Sequence, residues 1–137
     1  MLLFGKYEHQ MDEKKRIRIP AKLKDALGAN PVIMKGTSPC LVVYSSERAS
    51  EVIKAKFEKI IDGTVTDEDE MDLLRDLTSN TQNAEEDKQG RVKIEKDLVD
   101  YARLKKDIVT IGVYDKVEIW SAEEWNKRQK AKSEKNK

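Results

Sequence analysis

Hydrophobic and polar positions follow two periods along this chain. Alternation with period two, or a short run of β-branched and aromatic residues, predicts strands. These segments are residues 6–11, 16–19, 32–34, 41–44, 108–113 and 117–120. Apolar positions with a helical period predict amphipathic helices, which fall at residues 46–61 and 67–77, with shorter helices at 20–27 and 98–104 and a last helix after residue 121. Residues 78–86 fit neither period. The pattern predicts a β-rich mixed α+β fold with helices flanking the strands.

Capping signals predict where several helices begin and end. Pro20 suits the first turn of a helix, and Gly28 suits a C-terminal cap. The stretch Thr66–Asp69 resembles a capping box that opens a helix, and Ser121–Glu124 resembles a second one. The basic tail after residue 126 is expected to fray, as chain termini commonly do.

The order of elements occurs twice in the chain. Asp12 and Arg16 recur 75 residues later as Asp87 and Arg91, and Tyr44 recurs 76 residues later as Trp120. Each half reads strand, charged turn, strand, short helix, hairpin and helix. So many matching residue types in one order indicate an internal duplication.

A charged turn precedes the alternating strand in each half. Arg16 and Arg18 lie on the strand face opposite two isoleucines, so they can project together. A planar guanidinium group suits phosphates and also the O6 and N7 acceptors of guanine. Asp12 and Asp87 begin the turns, where a carboxylate accepts hydrogen bonds from backbone N–H groups. These features alone leave two interpretations open, a DNA contact and an ordinary charged surface turn.

Charge and composition exclude several classes of function. The net charge of +1 does not by itself indicate a nucleic-acid partner, although residues 12–24 are mainly basic and 62–76 mainly acidic. No apolar stretch is long enough for a membrane span, and the first residues lack a secretory signal, so we expect a cytoplasmic protein without a membrane partner. His9 and Cys40 are the only residues of their types, which argues against a disulfide or a four-ligand zinc site.

Candidate catalytic chemistry is equally sparse. The chain has no serine or cysteine in an activating context and no glycine-rich phosphate cradle. We therefore expect no catalytic residues, no metal, no cofactor and no small-molecule substrate. His9 is interpreted as a strand residue, Cys40 as a small apolar residue at a hairpin, and Tyr44 and Trp120 as core anchors.

The chain resembles the MraZ family over nearly its whole length. The residues that carry the resemblance are Gly5–His9, Asp12–Arg16 and Ile19–Leu23 in the first half, and Asp87–Arg91, Lys106–Val109 and Val117–Ser121 in the second. The resemblance implies two swapped-hairpin units of AbrB or SpoVT type that form a pseudo-dimeric β-barrel. The units would span residues 5–47 and 80–123, with a helical connection at 48–79 and a C-terminal helix and basic tail at 124–137.

The resemblance also implies a function. Members of this family are sequence-specific regulators that bind repeated elements in double-stranded promoter DNA, upstream of genes for cell division and cell-wall synthesis. The resemblance implies a homo-oligomeric ring in the cytoplasm, associated with the nucleoid. In the family the repeated turns face DNA, so we expect Arg16 and Arg91 to bind DNA and Asp12, Asp87 and Gly90 to shape the turns. Proximity adds candidate phosphate contacts, which are Lys14, Lys15, Arg18, Lys88 and Lys93.

Two positions depart from the family pattern. Lys15 stands where glycine is usual, so the first turn either avoids a positive φ or adopts one at a cost. Glu95 replaces an expected proline and is expected to place a negative charge near Arg91. We therefore expect the first turn to contribute more of the DNA affinity.

A protein-binding scaffold or antitoxin-like module is the alternative function. The helices at 46–61 and 67–77 would then form the contact surface. Packing of their apolar faces on the chain's own sheet, or on a neighbouring subunit, is the simpler interpretation.

Overall fold

The computed structural model of this chain describes residues 1–136, which form eight strands and five helices. The strands are β1 (Lys6–Gln10), β2 (Arg16–Ile17), β3 (Val32–Lys35), β4 (Leu41–Tyr44), β5 (Gln82–Asn83), β6 (Val92–Lys93), β7 (Asp107–Val113) and β8 (Lys116–Ser121). The helices are α1 (Ala21–Leu27), α2 (Ser46–Ile61), α3 (Glu68–Ser79), α4 (Lys96–Tyr101) and α5 (Ala122–Lys135). The mixed α+β class is confirmed. The helices contain more residues than the strands, so the fold is less β-rich than the pattern predicts.

Six strands form one antiparallel sheet in the order β1-β7-β8-β4-β3-β5. The hairpins β3–β4 and β7–β8 are neighbours through the pairing of β4 with β8. The outermost strand beside each hairpin comes from the other half of the chain, because β1 pairs with β7 and β5 pairs with β3. The strand order is therefore symmetric about the β4–β8 pair.

The predicted closed barrel is wrong. The large sheet ends at β1 and β5, and β2 pairs with β6 in a separate two-stranded ribbon. A barrel requires hydrogen bonding that continues around all its strands. Here β2, β5 and β6 contain two residues each, which is too short to bridge the two sheets.

The main core lies between the large sheet, the ribbon and the helices α1 and α4. Alternate residues of the sheet strands point into it, as the two-residue period of a strand requires. Its central members are Ile17, Leu23, Leu27, Ile33, Val43, Val92, Leu98, Ile108 and Ile119. The ribbon therefore packs on the core through the buried side chains of Ile17 and Val92, and its charged turns lie at the surface.

Two smaller apolar clusters cover the opposite face of the sheet. One joins Met34, Val42 and Tyr44 to Ala49 of α2. The other joins Cys40, Val109 and Trp120 to Trp125 of α5, whose ring meets that of Trp120 edge-on at 5.6 Å. Because both faces are covered, all four residues of β4 are buried. The interpretation of Tyr44 and Trp120 as core anchors is confirmed.

The predicted helix caps are confirmed with one correction. Gly28 has a φ of 76° and its N–H bonds to the carbonyl of Lys24, and Ser121 Oγ accepts from Glu124 N at 3.0 Å. Helix α3 is capped by Asp67 rather than Thr66, because the Asp67 carboxylate accepts the backbone N–H groups of Asp69 and Glu70.

The basic tail, expected to fray, is helical as far as Lys135, whereas residue 137 lies outside the described range. Lysine, glutamate and alanine favour helices, and an ion pair joins Lys127 Nζ to Glu123 one turn earlier at 3.5 Å. None of the helices described is both long enough and apolar enough to cross a membrane.

Candidate nucleic-acid interface

The ribbon places the two copies of the charged turn side by side. Arg16 lies opposite Lys93, and Ile17 lies opposite Val92. The pairing continues one step further, since Ile94 N donates to the carbonyl of Lys15 at 2.8 Å. Two turns that are far apart in sequence therefore share one surface.

The first turn is organised by the carboxylate of Asp12. Its Oδ1 accepts the backbone N–H groups of Lys14 and Arg16, both at 2.9 Å, and its Oδ2 accepts Arg16 Nε at 2.7 Å. Backbone bonds close the loop, because Lys15 N donates to the Asp12 carbonyl at 3.0 Å. The same side chain thus caps the turn and holds the arginine.

The second turn repeats this arrangement around Asp87. Its Oδ1 accepts from Gln89 N at 2.9 Å and from Arg91 N at 3.0 Å, while Oδ2 accepts Arg91 Nε at 2.9 Å. Gly90 N donates to the Asp87 carbonyl at 3.0 Å. The duplication seen in the sequence is therefore also a duplication of hydrogen bonds.

Lys15 and Gly90 occupy the same left-handed position of their turns, with φ values of 63° and 77°. Of the two outcomes considered for Lys15, the first turn adopts the positive φ. A residue with a Cβ atom pays about 1–2 kcal/mol for this conformation, and glycine does not.

Replacement of Lys15 by glycine should therefore stabilise the protein by up to about 1 kcal/mol, since part of the gain is offset by the entropy of glycine in the unfolded chain. Urea denaturation followed by circular dichroism measures the change. Lys14→Gly is the matched control, because Lys14 has no positive φ and should only lose stability. A Lys15→Gly protein that is no more stable than the Lys14→Gly protein would contradict the argument.

The two turns also contact each other through their charged side chains. Arg16 Nη1 lies 3.9 Å from Asp87 Oδ2, and Arg91 Nη1 lies 3.9 Å from Asp12 Oδ2. The side chains of both arginines are 24% exposed and those of both aspartates 35%. We call these four residues the charge cluster. The sequence alone does not predict these crossed contacts, which require β2 to pair with β6. The internal repeat is the signal that could have suggested that the two turns meet.

Hydrogen bonding lowers the pKa of both aspartates in the charge cluster. For Asp12, partial burial acts to raise the pKa, but the N–H and guanidinium groups of Arg16 outweigh it. For Asp87, the largest influence is the backbone N–H of Arg91, followed by burial in the opposite sense and then by Gln89 N–H. Both carboxylates are thus held in the ionised form that the turns need.

These pKa shifts predict a loss of stability in acid. A carboxyl group with a lower pKa in the folded state stabilises that state above its unfolded pKa, and the contribution is lost as the pH falls through the folded value. For Asp12 and Asp87 the loss should begin near the ordinary value of 3.8 and grow below it.

Urea denaturation between pH 7 and pH 2 tests this expectation. An Asp12→Asn/Asp87→Asn protein should lose less stability over the acid part of the range than the parent protein. Parallel stability curves for the two proteins would show that the charge cluster makes no such contribution.

Exposed cations adjoin the charge cluster along the chain, and one of them, Lys93, lies opposite Arg16 in the ribbon. The candidate phosphate contacts Lys14, Lys15, Arg18, Lys88 and Lys93 are all exposed. Arg18 Nε donates to the carbonyl of Gln89 in the other half at 3.2 Å, which further links the two turns. Lys24 from the same basic stretch is engaged elsewhere, since its Nζ lies 2.6 Å from a carboxylate oxygen of Glu86.

Glu95, which is expected to place a negative charge near Arg91, forms no ion pair with it within the described residues. It precedes α4, and its N–H donates to the side-chain oxygen of Gln82 at 2.7 Å. Within residues 1–136, Arg91 forms ion pairs with Asp87 and Asp12 and with no other carboxylate. The two turns are therefore closely matched in geometry despite this difference in sequence.

His9 and Cys40 both lie away from the ribbon. His9 is in β1, where Nε2 lies 2.6 Å from Thr110 Oγ1, and burial lowers its pKa. Burial raises the pKa of the Cys40 thiol to about 12. Across residues 1–136, no three histidine, cysteine or acidic side chains lie close enough together to hold a metal ion.

Comparison with known proteins gives consistent matches along the chain. The family described as "MraZ protein, putative antitoxin-like" matches residues 2–65 and 77–137. Transcriptional regulator MraZ of Clostridium beijerinckii is 40% identical over 125 residues, which cover 91% of this chain and 85% of that protein. The protein of the same name from Natranaerobius thermophilus is 39% identical over 133 residues, covering 96% and 90%. That of a Thermoanaerobacter species is 40% identical over 124 residues, covering 90% and 84%.

Proposed function

This chain belongs to the MraZ family, and we propose that it regulates transcription by binding promoter DNA through the β2–β6 ribbon. The relatives are named as transcriptional regulators, and a regulator of that type is the function that the ribbon supports best. The observation that carries the proposal is the pairing of β2 with β6, which gathers both charged turns on one surface.

A two-stranded ribbon that carries exposed cations and arginines suits the major groove of DNA. That groove admits a two-stranded β-ribbon as well as an α-helix. Arg16 and Arg91, where the two turns join the ribbon, would contact base edges, where an arginine fork recognises guanine. The exposed lysines Lys14, Lys15, Lys88 and Lys93, with Arg18, would contact the phosphates on either side. Because the cations that would contact DNA lie together at the ribbon, a chain with a net charge of only +1 could still bind DNA.

We also propose that residues 5–47 and 80–123 are two units of AbrB or SpoVT type that have exchanged strands. The symmetric strand order supports this proposal, because the outer strand beside each hairpin comes from the other half. Residues 48–79 would connect the units, and 124–137 would form the C-terminal helix and tail.

Several such chains assembled into a ring would align their ribbons with repeated promoter elements, upstream of genes for cell division and the cell wall. Linked weak sites can raise the overall affinity by roughly 10²-fold or more. The protein would then act in the cytoplasm at the nucleoid, without a cofactor or a membrane partner.

A DNA titration tests the proposed function. Fluorescence anisotropy would follow binding of the protein to a labelled duplex from upstream of its own coding region, and to a shuffled duplex of the same composition. We expect preference for the upstream duplex and an affinity that falls with salt, with a slope of about −0.9 per phosphate contact. Equal affinity for both duplexes, or no dependence on salt, would refute the proposal.

Two lysine variants, one in the ribbon region and one in α5, show whether the salt dependence arises from the ribbon. Lys15→Ala should reduce the salt slope by about one unit while leaving the preference for the upstream duplex unchanged. Lys130→Ala removes the same charge from the exposed side of α5 and should change neither.

The antitoxin-like alternative has one observation in its favour. Ile61, Val65 and Leu73 are 49%, 41% and 54% exposed, and they lie on or between α2 and α3. A charged substitution, Leu73→Glu, should leave DNA binding unchanged if the ribbon is the functional surface. Loss of a stoichiometric protein partner by that variant, with no effect of ribbon variants on the partner, would favour the alternative.

A further inference from the structure

We infer that Asp12 and Asp87 are specificity-determining residues, which hold both arginines for base edges and keep phosphates away from them. This inference rests on the proposed function, and it assigns to the carboxylates a role beyond shaping the turns. Three observations support it. Each arginine Nε is hydrogen-bonded to an aspartate, both aspartates are partly exposed, and each aspartate also lies near the arginine of the other turn.

Each guanidinium group is already held on one side. Within residues 1–136, the only side-chain hydrogen bond of Arg16 and of Arg91 is made by Nε to the aspartate of its own turn, at 2.7 and 2.9 Å. Within the same residues the terminal Nη groups form no hydrogen bond, and Nη1 of each arginine lies 3.9 Å from the aspartate of the other turn, beyond hydrogen-bond distance, so these donors can still bind a ligand. Two parallel donors of this kind match the O6 and N7 acceptors of guanine, and an arginine held in place loses little entropy on binding.

The carboxylates also set the net charge where the two turns meet beside the ribbon. The charge cluster contains two arginines and two aspartates, so it is neutral as a whole, while the exposed cations adjoin it along the chain. A phosphate that approached either arginine would meet a carboxylate whose side chain is 35% exposed. Like charges in contact repel, so phosphates are directed to the adjoining lysines, and the arginines engage only ligands without a negative charge.

The crossed contacts extend this effect to both halves. Each aspartate touches the arginine of the other turn at 3.9 Å as well as its own at 2.7 or 2.9 Å. Loss of one carboxylate therefore releases one arginine and loosens the second. The selectivity of the two turns is coupled, and single substitutions should not be additive.

Asparagine is a substitution that separates this role from a structural one. Its side-chain oxygen can keep the two backbone hydrogen bonds that Oδ1 accepts in each turn. The amide group in place of Oδ2 cannot accept a hydrogen bond from the arginine Nε. The turn is thus retained, while the restraint on the guanidinium and the negative charge are removed.

The experiment measures the affinities of Asp12→Asn, Asp87→Asn and the double variant for the upstream and shuffled duplexes by anisotropy at fixed salt. We expect the affinity for shuffled DNA to rise and the ratio of upstream to shuffled affinity to fall about tenfold or more in the double variant. Asp76→Asn, in α3 on the other side of the sheet, makes the same change in charge and should leave the ratio unchanged. Thermal denaturation checks that each variant is folded, and either single variant carries the test if the double variant is not.

The outcomes separate this inference from the proposed function. A parent protein that does not prefer upstream DNA would refute both. A parent protein with the preference, together with variants that keep the ratio, would refute the specificity role alone. Weaker binding of both duplexes by the same factor would also refute it, because that result is what a purely structural role of the aspartates predicts.

Discussion

Replacement of both Arg16 and Arg91 by alanine should abolish the preference for upstream DNA. A bidentate arginine contributes about 1–3 kcal/mol of discrimination between bases, equivalent to about 5- to 150-fold in affinity. The double variant also leaves Asp12 and Asp87 on the proposed DNA-binding surface without their guanidinium partners. The repulsion of phosphates then adds to the lost contacts, so we expect a combined effect in the upper part of that range or beyond it.

Anisotropy titrations of the single and double variants measure this effect. Arg103→Ala is the matched control, because Arg103 is an exposed arginine that pairs with Glu124 of α5, away from the ribbon. Within residues 1–136 Glu95 forms no ion pair with Arg91, and the two turns match in geometry. We therefore expect similar losses for Arg16→Ala and Arg91→Ala, rather than the larger loss for Arg16→Ala that the sequence predicts. A double variant that binds upstream DNA as tightly as the Arg103→Ala protein would contradict the assignment of the arginines.

Replacement of Ile119 by alanine should destabilise the protein by about 2–5 kcal/mol. Ile119 is completely buried, and its strand neighbours are Leu41 on one side and Thr110 on the other. It lies at the middle of the sheet, where the hairpins of the two halves meet, so the surrounding side chains have little freedom to fill the cavity.

Urea denaturation of the Ile119→Ala protein gives the change in the free energy of unfolding. Leu73→Ala, at a position that is 54% exposed, should change it by less than about 0.5 kcal/mol. Equal effects of the two substitutions on the free energy of unfolding would show that packing where β4 pairs with β8 does not stabilise the protein as expected.

Local patterns predicted most of the fold. The strands at 32–35 and 41–44 and the helix at 46–61 follow from their hydrophobic periods, because each buries one or both faces against its neighbours. The ends of α1 and the start of α5 follow from Gly28 and Ser121, since caps depend on a few adjacent residues.

The sheet topology could not be predicted in the same way. β5 falls in the ambiguous stretch 78–86, and its two residues pair with β3, about fifty positions earlier in the chain. Pairing between distant short strands depends on tertiary packing, which has no local period. The expected barrel was wrong for the same reason, since closure depends on continuous pairing between short strands.

The sequence identifies the residues of the two turns but not the contacts between one turn and the other. The residues of the two turns were identified from the repeat, and Lys15 was recognised as a position where a positive φ would have a cost. The pairing of Arg16 with Asp12 is local, whereas its approach to Asp87 requires β2 to pair with β6. The sequence therefore predicts positive side chains that project together beside turn-shaping aspartates, and the structure shows each arginine in contact with two carboxylates.

The most direct test of the central claim is amide NMR of the isotope-labelled protein as the upstream duplex is added. Binding through the ribbon predicts chemical-shift changes concentrated in residues 12–18 and 87–93, the two turns and the ribbon that joins them. Changes concentrated in α2 and α3, with the ribbon unaffected, would contradict it.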